Sequence, residues 1–291
     1  MRQSLLTYSY ILLLSLTTSL TTYASDDDDD DNDRSRRSEA FQASDTVADT
    51  VTALSEFLSR EGFDIILTVD HAASAARVGL ELAPTQVIFA RQPRKIERRL
   101  LRRSDTIGID LPLKFLVFEN EGEIQVDINA IGYLIDRHDL PLRDRLLRFV
   151  DRKIKSVADA PEGLVTIASE QTLAVSVETL ISTISAIPAF RIPLVLDYSA
   201  RNGEDDENAG PVLVVIANAN VGTGLMQANQ RMGIDLPQKF LFWQDDQGNV
   251  NITYNDPLFL AERHDVQGVD ARLQAISNAL ANFASIAAGT N

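Results

Sequence analysis

An internal repeat is the feature that most constrains how this chain can fold. Residues 108–116 (GIDLPLKFL) recur as residues 233–241 (GIDLPQKFL), with eight of nine positions identical at an offset of 125 residues. The triplet Arg-His-Asp at 137–139 recurs at 263–265, at an offset of 126. A period of this length indicates duplicated domains rather than a solenoid. The 291 residues are also enough for about two ordinary domains.

Both copies show the same succession of helix and strand patterns. Helical spacing of apolar residues is followed by strict alternation, which is typical of a half-buried strand, and then by a continuous apolar run, which is typical of a buried strand. The helical residues are Val47, Val51, Leu54 and Leu58 in copy one and Leu173, Val177, Leu180 and Ile184 in copy two. The alternating residues are Phe63, Ile65, Leu67 and Val69, and Phe190, Ile192, Leu194 and Leu196; the continuous runs are 87–90 and 212–217. A second helical segment then leads into each GIDLP turn, and a hairpin follows at 114–128 or 239–254.

Each copy closes with an apolar helical stripe. The stripes are Leu142, Leu146, Val150 and Ile154 in copy one and Val269, Leu273, Ile276, Leu280 and Phe283 in copy two. An opening strand is clear at 164–168 and weak at 40–43. The order β-α-β-β-α-β-β-α predicts an α+β fold of two tandem two-layer domains, at 40–158 and 161–291, that pair within the chain as a pseudo-dimer.

The N-terminus has the pattern of a secretory signal. Arg2 precedes an apolar centre at 10–16, and small residues end at Ala24, so the pattern predicts a signal peptide at 1–24 that is cleaved after Ala24. An uncleaved membrane anchor is the alternative, because the uncharged stretch is long enough to span a bilayer. The acidic run at 26–31 lies in a segment, 25–39, that we expect to be a disordered linker rather than a calcium loop. We therefore expect a periplasmic or secreted protein with no membrane contact after cleavage.

Charge and cysteine content exclude several kinds of partner and site. The formal net charge is −15, so we expect the chain to repel nucleic acid phosphates and anionic lipid surfaces. The chain has no cysteine, which removes disulfides, thiolate nucleophiles and cysteine-ligated metals. No dinucleotide, Walker or nucleophile-elbow motif is present in the sequence. We expect no cofactor, no metal site and no catalytic residue.

At this point the sequence resembles a known family. Residues 70–86 (DHAASAARVGLELAPTQ), residues 221–226 (VGTGLM), the two DLPxK segments and the passage from Tyr254 to His264 are similar to the domain-of-unknown-function 302 family, DUF 302. The resemblance covers two copies. It implies a β-α-β(4)-α domain with a topology like that of the TATA-binding protein, and it implies no reaction and no nucleic acid binding.

The two copies depart from the family pattern in complementary ways. Copy one keeps the segment from His71 to Gln86 but has ARQPRKIE at 90–97 where the family has Gly-Asn-Pro and Gly-Thr. Copy two keeps 217–224 (ANANVGTG) but has 198–207 (YSARNGEDDE) in place of the His segment. Either one composite site spans the two copies, or no site works.

Candidate ligand contacts follow from these segments. They are His71, Gln86, Asn218, Thr223, Lys114 and Lys239. His71 follows a strand and precedes small residues, although a structural histidine is the alternative. The Gly222-Thr-Gly224 run is expected to serve a tight strand-to-helix turn, or to hold an anion there. The turn residues Asp110, Lys114, Asp235 and Lys239 also have a structural interpretation, and His138 and His264 are expected to cap a helix or bond to backbone.

One basic segment stands out in this acidic chain. It contains Arg91, Arg94, Lys95, Arg98, Arg99, Arg102 and Arg103. It is expected to bind an anion or an acidic partner, or to dock within the chain on the acidic residues at 204–207 or 26–31. The function that these observations favour is non-catalytic binding of an unknown small molecule or anion. An enzyme with His71 as a base at the junction, and a purely structural pseudo-dimer, are the alternatives.

Overall fold

A computed structural model describes residues 43–129, 131–140, 163–199 and 210–290. The fold is α+β, with one antiparallel sheet in each copy. Copy one contains α1 (Val47–Arg60), β1 (Asp64–Asp70), α2 (His71–Ala76), β2 (Thr85–Arg91), α3 (Arg94–Leu101), a 3₁₀ turn (Ile107–Ile109), β3 (Leu113–Asn120), β4 (Glu123–Ile128) and α4 (Ile131–Arg137). Copy two contains β5 (Leu164–Ala168), α5 (Leu173–Ser185), β6 (Arg191–Asp197), β7 (Val212–Ala217), α6 (Ala219–Ala228), a 3₁₀ turn (Gln230–Ile234), β8 (Gln238–Gln244), β9 (Val250–Asn255), α7 (Pro257–Arg263) and α8 (Asp270–Ala288).

Local sequence explains where the elements begin and end. The hydroxyl of Thr46 accepts a hydrogen bond from the backbone N–H of Asp49 at 3.1 Å, which caps the start of α1. Gly62 follows α1 with a positive φ of 84°, a conformation that favours glycine. The β8–β9 turn is built by Asp245, whose carboxylate accepts the N–H groups of Gln247 and Asn249 at 2.9 and 2.8 Å.

The strand orders of the two sheets match where both are described. Copy one has the order β1-β2-β3-β4, and copy two has the order β5-β9-β8-β7-β6. The opening strand predicted for copy one lies mostly outside the described residues, and Ala43 itself is not in a strand. The stripe predicted at 142–154 also lies outside them, as do the signal segment and the acidic linker. The copy-two stripe falls on α8, and Leu280 and Phe283 are buried in the core of that copy.

Both faces of each central strand are covered, because alternate residues point to opposite sides of a sheet. In copy one, Ile88 and Val117 pack against α1, whereas Val87 and Leu116 face Ile234 from the turn of copy two. The reverse contact places Ile107, Ile109 and Leu111 of copy one among Leu213, Val215 and Leu241 of copy two. Each GIDLP turn therefore packs on the other copy's sheet. The Leu111–Pro112 and Leu236–Pro237 peptide bonds in these turns are both cis.

Two local predictions differ from the structure. Gly222, Thr223 and Gly224 lie inside α6 rather than in a tight turn before it, because the helix already starts at Ala219. A Cβ on Gly224 would lie 1.5 Å from the Nη1 atom of Arg272, so that glycine makes room for a side chain of α8. The helix α2 was not predicted from the sequence, because it is only six residues long and has no apolar stripe.

Candidate functional site

A buried network of charged side chains joins the two copies. Asp110 accepts a hydrogen bond from the Nε2 atom of His138 at 2.8 Å and lies 3.4 Å from Arg137 Nε. It also lies 3.5 Å from Lys239 Nζ of copy two, which donates to the backbone oxygen of Ile109 at 2.6 Å. Asp110 is thus held by two side chains of its own copy and one of the other.

The equivalent residues repeat this arrangement in the opposite sense. Asp235 lies 2.5 Å from Arg263 and 2.7 Å from His264, both in its own copy, and 3.1 Å from Lys114 of copy one. Arg137 donates to Asn255 at 2.5 Å and Arg263 to Asn129 at 2.8 Å, and these contacts again cross the junction. The network therefore has approximate two-fold symmetry.

The network changes the pKa of its carboxyl groups and of one lysine. Burial alone would raise the pKa of Asp235, but Lys114, Arg263 and His264 together hold it well below its usual range. The same balance, with Arg137 as the largest opposing charge, lowers the pKa of Asp110. Burial, followed by the charge of nearby Lys114, lowers the pKa of the Lys239 ammonium. The charged groups of the network are therefore paired with one another inside the protein.

A cavity of about 820 Å³ lies between the two copies, and its wall includes residues 236–238, which lie between Asp235 and Lys239 in the chain. Its walls come from the end of β1 and from α2 in copy one, and from α6, the start of β8, α8 and residues 188–193 in copy two. The volume is within the range of cavities that hold small molecules, roughly 300–1,000 Å³. His71 of copy one and Asn218 and Thr223 of copy two all line it.

Several polar atoms in this wall have no hydrogen-bond partner among the described residues. They are His71 Nε2, Asn218 Oδ1, and both amide atoms of Gln238. Only 5% of His71 and 8% of Gln238 is exposed, so water does not freely solvate them. Buried polar groups in folded proteins usually have hydrogen-bond partners, so each of these atoms calls for a physical explanation.

Burial lowers the pKa of His71 to about 4, against the opposing effects of a backbone hydrogen bond with Gly233 and the charge of Asp70. The ring is therefore neutral at pH 7. The ring bonds to the backbone of Gly233, and its Nε2 atom has no partner among the described residues. The carboxylate of Asp70 accepts the backbone N–H of Ala73 at 2.7 Å and caps α2.

The rest of the cavity is apolar with a basic rim. Its apolar side chains include Phe190, Ile216, Ile276, Leu280 and Phe283. Its charged side chains are Asp70, Arg77, Arg191 and Arg272, and the three arginines are exposed. A positive rim on a chain of net charge −15 is a local departure from the overall charge.

The equivalent position on the other side of the junction is filled by side chains. Tyr198 follows β6 as His71 follows β1. Its hydroxyl lies 2.8 and 2.6 Å from the backbone oxygens of Gly108 and Leu111, which share its one proton. Arg91 lies 5.7 Å above the Tyr198 ring and binds Glu97 through two hydrogen bonds of 2.7 and 2.8 Å.

Strand register shows which residues of the two copies occupy equivalent positions on the two sides of the junction. Phe89 pairs with Lys114 and Val215 with Lys239, so β2 and β7 are equivalent. Continuing this equivalence along the chain places Glu97 at the position of Thr223. Thr223, a small polar residue, lines the cavity on one side of the junction. Glu97, which is longer and forms an ion pair with Arg91, occupies the equivalent position on the other side.

The remaining predicted contacts are spread over other environments. Gln86 donates to Asp70 Oδ2 at 3.4 Å, and it supports the residue that caps α2 rather than lining the cavity. Lys114 and Lys239 are buried in the network, so their ligand contact stays a prediction. The rings of His138 and His264 bind the aspartates of their own copies, which the sequence did not predict. The predicted backbone role is also present, since His264 is the C-cap residue of α7 and the backbone N–H of His138 bonds to the oxygen of Leu134. Within the described ranges no three metal-ligating side chains come together.

The predicted basic segment divides into two parts. Arg91 is buried against Glu97 and Tyr198, whereas Arg94, Lys95, Arg99, Arg102 and Arg103 are exposed and Arg98 is half-buried. The acidic stretches proposed to meet them, 204–207 and 26–31, lie outside the described residues. Their pairing stays a prediction.

Sequence reasoning missed Arg77, Gln238 and Arg272 as site residues. Gln238 follows the Leu-Pro pair that both copies share, where copy one has Leu113. This difference between the copies was the available signal. Arg272 is one of several polar residues on α8, and only the packing of α8 against α6 brings it to the cavity. No helix in the described part of the chain combines the length and apolar character needed to cross a membrane.

Comparison with known proteins places this sequence in a family. The model of the domain of unknown function DUF302 matches residues 40–160 and 165–283. Two curated proteins named fluoride-specific ion channel FluC 1, from Brucella suis and Brucella abortus, are each 31% identical over 129 residues, which are 44% of this chain and 50% and 47% of those proteins. The chain thus spans about half the length of these relatives. The crystal structure of an uncharacterised conserved DUF302 protein from Bacillus stearothermophilus is 16% identical, with a TM-score of 0.38, over 43% of this chain and 98% of that one.

Proposed function

This chain belongs to the DUF302 family, in two tandem domains, and we propose that it is a binding protein that holds one small organic molecule in the cavity between them. The observation that carries the proposal is the composition of the cavity wall. The segment that copy one retains, around His71, and the segment that copy two retains, around Asn218 and Thr223, line the same space. The complementary losses in the two copies therefore leave one composite site.

The polar atoms of the wall support binding. His71 Nε2, Asn218 Oδ1 and the Gln238 amide lack partners within the described residues, and each lies in the cavity lining. Leaving such groups buried and unpaired costs about 1–3 kcal/mol each. A ligand that bonds to them would recover part of this free energy, and its apolar body would cover the Phe283 and Ile276 side of the cavity.

Binding is better supported than catalysis at this position. A general base works best when its pKa lies near the working pH. Burial lowers the pKa of His71 to about 4, and the neighbouring Asp70 carboxylate caps α2 rather than bonding to the ring. His71 is therefore suited to accept or donate a hydrogen bond as a neutral ring.

The test is copurification followed by native mass spectrometry. The wild-type chain, purified from the cells that produce it, is expected to carry a small-molecule adduct in a one-to-one ratio. The variant Ala279→Phe fills the cavity from α8 and should lose the adduct. The control Ala281→Phe places the same side chain at an exposed position of the same helix and should keep it. A wild type without any adduct, or one whose adduct survives in Ala279→Phe, would refute binding in this cavity.

We also propose that the chain is exported and that the segment 1–24 is removed. The support is the residue pattern that ends at Ala24. The mass and N-terminal sequence of the mature protein should begin at Ser25. A full-length chain that begins at Met1 and sediments with membranes would support the anchor instead.

A further inference from the structure

The charges around the cavity indicate what kind of molecule it accepts. Three arginines and one aspartate are the charged groups of its wall. Both oxygens of that aspartate, Asp70, are engaged, since they accept the N–H of Ala73 and the amide of Gln86. Arg191 donates to the backbone oxygens of Pro188 and Phe190 at 2.7 and 2.6 Å. Arg77 and Arg272 remain without a carboxylate partner in the described chain.

The first turn of α6 adds hydrogen-bond donors on the same wall. The N–H groups of Val221 and Gly222 bond to the backbone oxygen of Asn218 at 3.1 and 2.9 Å. Helix geometry leaves the preceding N–H groups, those of Ala219 and Asn220, without a partner inside the helix. The side chain of Asn218 occupies the capping position but accepts no hydrogen bond from the helix. The positive end of this ten-residue helix is therefore uncapped at the cavity.

Arg272 is held beside that helix start. Its Nη1 atom lies 3.4 Å from the backbone oxygen of Asn220, and the missing side chain of Gly224 provides its space. A guanidinium and free helix N–H groups together form a site for an anion. Two residues of the same wall are more than nine-tenths buried and have side-chain atoms without a partner in the described chain, namely His71 Nε2 and the Gln238 amide. These atoms point independently to a bound polar group.

We propose that the ligand of this cavity is an amphipathic organic acid. Its carboxylate lies between the first turn of α6 and the guanidinium of Arg272, and its apolar body packs against Ile276, Leu280 and Phe283. The proposal rests on the binding function proposed above and adds the charge and shape of the molecule. The apolar side chains favour an organic acid over an inorganic anion, because a small ion would leave that surface uncovered.

Three probes of the same shape and different charge test the proposal by isothermal titration calorimetry. They are phenylbutyrate, phenylbutanol and phenylbutylamine, used at pH 7 and low salt. We expect the acid to bind about tenfold more tightly than the alcohol, since hydrogen bonds to charged groups are worth more than neutral ones. The amine should bind most weakly of the three.

Two variants locate the effect at Arg272. Arg272→Gln should weaken phenylbutyrate about tenfold and leave phenylbutanol unchanged. Gly224→Ala keeps every charge and favours the helix, but its Cβ displaces the guanidinium, so it should weaken the acid selectively as well. Arg60→Gln, an exposed change at the end of α1, removes the same charge elsewhere and should alter neither probe.

The outcomes separate this proposal from the binding function. If the alcohol matches the acid, or if both Arg272→Gln and Gly224→Ala bind the acid like the wild type, the organic-acid proposal is overturned and the cavity remains a binding site. If none of the probes binds, the organic-acid proposal is overturned too. The copurification experiment with Ala279→Phe then decides the binding function separately.

Discussion

Replacing Asp235 by Asn tests how the two copies are held together. Asp235 is fully buried, and it is the only ion-pair partner of Lys114 within the described residues. Arg263 also loses a partner, but that side chain is 21% exposed and can turn towards water. Lys114 is 3% exposed and has no such escape. Leaving one charge of a buried pair unpaired costs about 3–5 kcal/mol, a large part of the 5–15 kcal/mol that ordinarily stabilises a domain.

The measurement is urea unfolding followed by far-UV circular dichroism, with the free energy of unfolding obtained by linear extrapolation. Asp235→Asn should lose about 3–5 kcal/mol. Adding Lys114→Met removes the stranded ammonium, so the double variant should be more stable than Asp235→Asn alone. Asp246→Asn removes an exposed carboxylate from the β8–β9 turn and should change stability by less than about 0.5 kcal/mol. The reasoning fails if Asp235→Asn resembles Asp246→Asn, or if Lys114→Met destabilises it further.

Three further predictions concern the effect of buried polar groups on the stability of the folded chain. The pKa of His71 is lowered to about 4 in the folded chain, against about 6.5 in the unfolded chain. Neutral His71 therefore contributes fully to the free energy of unfolding above pH ~6.5, and this contribution is lost as the pH falls towards 4. Urea titrations should show this pH dependence in the wild type and not in His71→Gln. The pKa values of Asp110 and Asp235 are also lowered, so a further loss should begin below pH ~4 in wild-type chain and be smaller in Asp235→Asn. Tyr198→Phe removes the hydroxyl that bonds to the backbone oxygens of Gly108 and Leu111. It should lower the free energy of unfolding by about 1–3 kcal/mol in the same assay without changing the affinity for phenylbutyrate.

The sequence predicted the elements that have a strong period and clear turn residues. The α1 stripe, the alternating strands β1 and β6 and both hairpins are found where the sequence places them, because burial of one face imposes spacing that is visible locally. The α+β class and the two-copy organisation follow from the repeat. The helix α2 was missed because its six residues, one histidine and five small residues, carry no apolar periodicity, although Asp70 before them is a capping residue.

The candidate site was only partly predictable, for a physical reason. His71, Asn218 and Thr223 were found through the complementary divergence of the two copies. Arg272 could not be found in this way, since its place depends on how α8 crosses α6 and on the absence of a side chain at Gly224. The charged network was likewise visible only as repeated residues, and their pairing across the copies needs three-dimensional contacts.

Covalent duplication explains why one side of the junction is open and the other is filled. In a symmetric dimer of identical chains, any substitution appears at both equivalent positions. In this chain, Tyr198 and Glu97 could fill one position without changing His71 and Thr223 at the other. On the filled side Glu97 bonds to Arg91 and Tyr198 bonds to backbone oxygens, whereas on the open side His71 Nε2 has no partner among the described residues. Unpaired buried polar atoms lower the free energy of unfolding. This loss of stability is smaller when one of the two equivalent sites is open than when both are. The ion pairs of Asp110 and Asp235 join the two copies symmetrically, although the two sides of the junction are unequal.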